Sequence, residues 1–136
     1  WVLLAAGLVS CQSAAPAQLG QGTPTLEPAG PTGSGQSGLY TSVQAARGEA
    51  FFQQNCAGCH STGDFTGSEF ITAWAGQPVV ELYTQIASTM PFDDPGTLSR
   101  EVYTDIVPYM LSLNNHPAGD KELPSDPKGQ REILIQ

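Results

Sequence analysis

Five consecutive residues, Cys56-Ala57-Gly58-Cys59-His60, carry the densest chemistry of the chain. Two thiols three positions apart, at the end of a helix, can add to the two vinyl groups of one porphyrin. The imidazole that follows is carried under the macrocycle and can bind its iron. This is the C-x-x-C-H pattern of covalent haem attachment. A zinc site would want a second Cys/His pair, but Cys11 and His116 lie far off and unpaired in the sequence. A thioredoxin-like dithiol would want a βαβ context, and the flanks here look helical. The spacing therefore points to one haem c, held by Cys56 and Cys59 with His60 as an axial ligand.

The iron's other axial position has three candidate ligands, Met90, Met110 and His116. Met110 falls on the apolar stripe of a helix, where packing is the ordinary role of a thioether. His116 precedes Pro117 in a polar stretch. Met90 stands in Thr89-Met90-Pro91, between two helices, where a loop can swing a side chain onto the open haem face. Met90 is the expected ligand. A neutral thioether favours the reduced iron and raises the potential. Trp74 is either core or a lid over the haem edge, its indole N–H donating to a propionate.

These residues need a small helical scaffold. Thr41 with Gln44 reads as a capping box opening a helix over 41–55, with Val43, Ala46, Ala50 and Phe51 close to one face. Gly48 within it is costly unless a second helix crosses closely there. A turn of helix is expected at 69–74. A second helix is expected over 78–88, with Pro78 at its first position and Val79, Leu82, Tyr83 and Ile86 as its stripe. A last helix over 99–114 has Ser99 as N-cap and Val102, Ile106, Tyr109, Met110 and Leu113 apolar, with a kink expected at Pro108. No strand pattern appears. The expected class is all-α, three main helices around one haem.

The remainder of the 136 residues reads as tails. Residues 1–10 are an uncharged apolar run, too short for a bilayer that needs about 20 residues. The run fits the hydrophobic region of a signal peptide within a longer precursor. Leu8-Val9-Ser10-Cys11 resembles a bacterial lipobox, making Cys11 the expected lipidation site; a transmembrane anchor is the alternative. Residues 11–38, rich in Gly, Pro, Ser and Thr with Glu27 as the sole charge, read as a tethered flexible linker reaching roughly 30 Å in the mean. The haem domain is expected over 39–119, with a C-terminal extension over 120–136 whose Ile133, Leu134 and Ile135 dock on the core or on a partner. A net charge of −8, from 5 basic and 13 acidic residues, argues against nucleic acid and favours a partner with a basic docking face.

From about Ala46 to Asp126 the sequence resembles the class I monohaem cytochromes c, and in particular the small modules attached to bacterial quinoprotein dehydrogenases. The matching segments are Arg47-Gly48-Glu49, the haem motif, Trp74, Leu82-Tyr83, Thr89-Met90-Pro91, Pro95 to Ser99, Tyr103 to Leu111 and Pro117-Ala118-Gly119. Pro108 departs from the family pattern. The resemblance implies axial ligation by His60 and Met90. It also brings in the monohaem lipoprotein subunits of quinol-oxidising complexes such as alternative complex III. The expected function is a membrane-tethered one-electron carrier, facing the periplasm of a bacterial envelope, with redox partners in a multisubunit membrane complex. It is not expected to be an enzyme. A haem enzyme or gas sensor with an open sixth site is the alternative.

Overall fold

The computed structural model describes residues 38–136. The apolar run 1–10, Cys11 and all of the linker but residue 38 lie outside the described residues. The described residues form five α-helices: α1 (Ser42–Asn55), α2 (Ser68–Trp74), α3 (Val79–Thr89), α4 (Arg100–Leu113) and α5 (Pro127–Arg131). A 3-10 turn at Thr62–Phe65 follows the haem motif. Among these residues there is no strand beyond an isolated bridge between Pro78 and Leu134. No helix among them is long and apolar enough to cross a membrane.

The fold is built on the crossing of α1 and α4. A Cβ placed on Gly48 would lie 1.8 Å from the Asp105 carbonyl oxygen and 3.0 Å from Tyr109 Cβ. Only glycine lets the two backbones come this close. One turn on, Phe52 packs at a tilt against Tyr109 with ring centroids 5.4 Å apart. The crossing expected at Gly48 is therefore the centre of the core.

Of the apolar face expected on α1, only Phe51 packs against the core. Val43 is 64% exposed, and Ala46 and Ala50 are also exposed; the buried face is Gln44, Ala45, Gly48 and Phe52. Gln44 is the reason. Its amide donates to the Leu123 carbonyl (3.0 Å) and accepts from the Leu123 N–H (2.7 Å), so a polar side chain is buried with both ends satisfied. Thr41 caps α1 by accepting from the Gln44 N–H at 3.1 Å, but the Gln44 side chain turns inward instead of completing the box.

α3 begins after Pro78, which is its N-cap and not its first helical residue. Val79, Leu82 and Ile86 are buried along the expected stripe. α4 opens at Ser99, whose hydroxyl accepts from the Val102 N–H at 3.3 Å. It runs through Pro108 without ending, because residues 103–111 are buried on every side and packing outweighs the lost backbone bond.

The chain after α4 packs on the same core. The Tyr40 hydroxyl donates to the His116 carbonyl, and the Gly119 N–H reaches the Tyr40 carbonyl at 2.7 Å. The α5 N-cap, Asp126, accepts from the Gly129 N–H at 2.8 Å. The last residues run extended beside the start of α3. Val79 N–H reaches the Ile133 carbonyl and Ile135 N–H the Gln77 carbonyl, both at 2.9 Å. Ile135 is buried and Leu134 points to solvent.

Candidate cofactor site

α1 delivers the motif. Its last turn closes with the Cys56 N–H on the Phe52 carbonyl (2.8 Å), and a tight turn follows in which the Cys59 and His60 N–H groups both reach the Cys56 carbonyl, at 3.1 and 2.9 Å. This turn folds both thiols and the imidazole back toward one cleft. Cys56 and Cys59 are free thiols, the first half-buried and the second exposed. Burial pushes the Cys56 thiol above its ordinary pKa.

The His60 ring lies 5.1 Å from the Phe65 ring, which in turn packs edge-on against Phe52 at 5.8 Å. Asp64 caps the 3-10 turn, accepting from the Ser61 N–H (3.0 Å) and hydroxyl (2.9 Å). Those hydrogen bonds hold its carboxyl below the usual carboxylate range, with the nearby imidazole adding to the effect. Its Oδ2 lies 3.7 Å from His60 Nδ1, too far for a hydrogen bond. Nδ1 therefore lies on the side of the turn.

The opposite wall comes from the end of α3, the loop after it and α4. The cleft encloses about 230 Å³, and Cys56, Cys59, His60, Ile86, Met90, Leu98, Tyr103 and Ile106 all line it. Met90 closes α3, its N–H on the Ile86 carbonyl at 2.9 Å. Phe92 and Asp93 stand at the rim, with Phe92 84% exposed.

The other sequence candidates lie elsewhere. Met110 is buried in the core and outside the cleft lining. His116 also lies outside the lining; burial depresses its imidazole pKa, and its carbonyl serves Tyr40. Trp74 is not a lining residue of this cleft either and packs on Phe70, centroids 6.5 Å apart. Cys11 lies outside the described residues. Sequence reasoning missed Tyr103, Leu98 and Asp64 at the site. Tyr103 carried a signal, since it falls one turn before Ile106 on the α4 stripe.

The donor set fits a covalently held haem. Two free thiols, an imidazole and a thioether face one space whose walls are otherwise mostly aliphatic and aromatic. It does not fit a structural zinc: among the described residues no three His, Cys, Asp or Glu side chains converge as a metal site would.

Helices, cleft and donor set together define an all-α cytochrome c domain carrying haem c. Residues 43–110, half of the chain, match the family described as cytochrome c oxidase, cbb3-type, subunit III, and the chain belongs to that family. No curated protein and no solved structure matches the chain. Its function is haem-based electron transfer.

Proposed function

We propose that this chain is a membrane-tethered carrier in which Cys56 and Cys59 hold the haem and His60 and Met90 are the axial ligands of its iron. The supporting observation is convergence. These four side chains line one cleft, and Met110 and His116, the competing ligands, do not. When bound, the haem supplies one-electron chemistry between Fe(III) and Fe(II). The chain supplies the rest. Cys56 and Cys59 fix the macrocycle. The neutral Met90 thioether biases the iron toward the reduced state. Ile86, Leu98 and Ile106 exclude water from it.

The partner is a redox protein with a basic docking face. Phe92 offers an exposed apolar contact at the cleft mouth, and Asp93 and Asp94 beside it are exposed carboxylates in a chain of charge −8. Lipidation at Cys11 and the linker to residue 38 would hold the domain off the outer side of the cytoplasmic membrane. Such a tether suits a fixed subunit of a quinol- or dehydrogenase-linked membrane complex.

Acid acetone should leave the colour with the denatured protein, and Cys56→Ala with Cys59→Ala should lose it. The oxidised protein should show the weak far-red sulfur-to-iron band. Met90→Ala should lose that band, bind carbon monoxide and have a lower potential. Loss of the band in Met110→Leu and its survival in Met90→Ala would overturn the ligand assignment.

A further inference from the structure

Met90 sits at the start of a loop, and something must hold that loop against the helices. Within it, the Gly96 N–H reaches the Met90 carbonyl at 3.3 Å, the Asp94 N–H the Pro91 carbonyl at 3.0 Å, and the Thr97 hydroxyl the Asp94 carbonyl at 2.8 Å. These bonds shape the loop but do not reach the neighbouring helix α4. Met90 and Leu98 pack against the core, and one side chain adds a polar tie. Tyr103 on α4 is 2% exposed and forms part of the cleft wall. Its hydroxyl donates to the Met90 carbonyl at 2.7 Å and accepts from the Leu98 N–H at 3.4 Å. Both ends of the loop thus meet at one buried oxygen. The ring itself is held edge-on by Tyr83, centroids 6.2 Å apart. A phenylalanine would fill the same space, so packing alone does not call for the hydroxyl.

We propose that Tyr103 is the positioning residue that keeps the Met90 thioether seated in the cleft, by tying both ends of the 90–98 loop to α4. The inference rests on the reading of Met90 as an iron ligand. Without the hydroxyl, the Leu98 N–H loses its partner, the Met90 carbonyl keeps only the Gly96 N–H, and the polar tie between the loop and α4 is gone.

The test uses the haem-loaded full chain, unsubstituted and as Tyr103→Phe, Met90→Ala and Tyr109→Phe. Tyr109 is a buried tyrosine on the same helix that is not tied to the loop. Carbon monoxide can bind the reduced iron only after Met90 leaves, so its binding rate counts departures. Tyr103→Phe should bind it roughly five- to tenfold faster, the effect of one or two lost buried hydrogen bonds. Tyr109→Phe should match the unsubstituted protein. On heating, Tyr103→Phe should lose the far-red band well below its global unfolding. A rate within twofold of the unsubstituted protein overturns the proposal, as does band loss that merely tracks unfolding. Amide exchange in the unsubstituted protein adds a check that needs no variant. The Leu98 N–H should be protected relative to that of Asp93, and equal exchange overturns the proposal. If Met90→Ala itself keeps the band and excludes carbon monoxide, the ligand reading fails instead.

Discussion

The two walls of the cleft are held by different kinds of force. The Cys56–His60 wall is the continuation of α1, and α1 is locked to α4 where Gly48 meets the Asp105 carbonyl. Its position follows from helix hydrogen bonds and a close-packed crossing. The Met90 wall is a loop between two helices, tied to α4 through one tyrosine hydroxyl. The first wall is built into the core. The second is a loop that leans on it through Met90 and Leu98. On the ligation proposed above, the fold fixes one axial ligand, while the packing of Met90 and Leu98 and a few polar contacts hold the other. Perturbing the core should therefore unfold the domain, whereas perturbing the loop should change the ligand and leave the domain folded.

The largest effect should come from Gly48→Ala. The added Cβ would overlap the Asp105 backbone. Because backbone must shift, the cost lies at or above the top of the usual overpacking range, about 3 kcal/mol. In a domain of this size that lowers Tm by roughly 12 °C or more. Thermal unfolding of the haem-loaded variant, followed by far-UV circular dichroism, measures it. A Tm within a few degrees of the unsubstituted protein would show that the first wall is not set by the crossing.

Next is Gln44→Ala, which leaves the Leu123 N–H and carbonyl unsatisfied in a buried place. A loss of about 2 kcal/mol is expected, with the far-red band unchanged until the protein unfolds. Tm and the band should fall together, the reverse of the separation expected for Tyr103→Phe. A band lost early in Gln44→Ala would erase the distinction between the walls.

Much of the cleft was legible in the sequence because its chemistry is written in adjacent residues. Cys56, Cys59 and His60 need only one turn of backbone to converge, and Pro91 marks Met90 as a loop residue. The stripes of α3 and α4 were legible because burial there is apolar and periodic. The face of α1 was not. Its contact is made by a glycine and a glutamine, residues that a hydrophobic pattern scores as surface, while Val43 and Ala46 look outward. Only the partner backbone reveals why glycine and glutamine belong there. α5 was missed although Asp126-Pro127 is a fair helix start, because a five-residue helix has no periodicity to read. Tyr103 and Asp64 act through hydrogen bonds to backbone and through space, and neither leaves a spacing pattern.

The smallest expected effect sharpens the comparison from the fixed side. Asp64 is pinned by two contacts from Ser61, so its charge sits at a defined place 3.7 Å from His60 Nδ1. Because Ser61 also keeps the carboxyl below the usual range, it is ionised at neutral pH. With His60 as the axial ligand proposed above, a fixed negative charge beside its imidazole stabilises the oxidised, more positive site over the reduced one. Asn at 64 keeps the shape and can still accept from Ser61, so Asp64→Asn removes charge and little else. The carboxylate is half-exposed and screened, so the shift should be modest. We expect a two- to threefold change in the oxidised-to-reduced ratio at fixed poise. At 59 mV per tenfold for one electron, the midpoint should rise by about 20–30 mV. Spectroelectrochemical titration at low and high salt would measure it, and the difference between the two proteins should shrink as salt rises. An unchanged midpoint at low salt would reduce Asp64 to a cap on the 3-10 turn. A rise of that size with the far-red band intact would show the fixed wall setting the potential through charge while the loop wall governs whether the thioether stays bound.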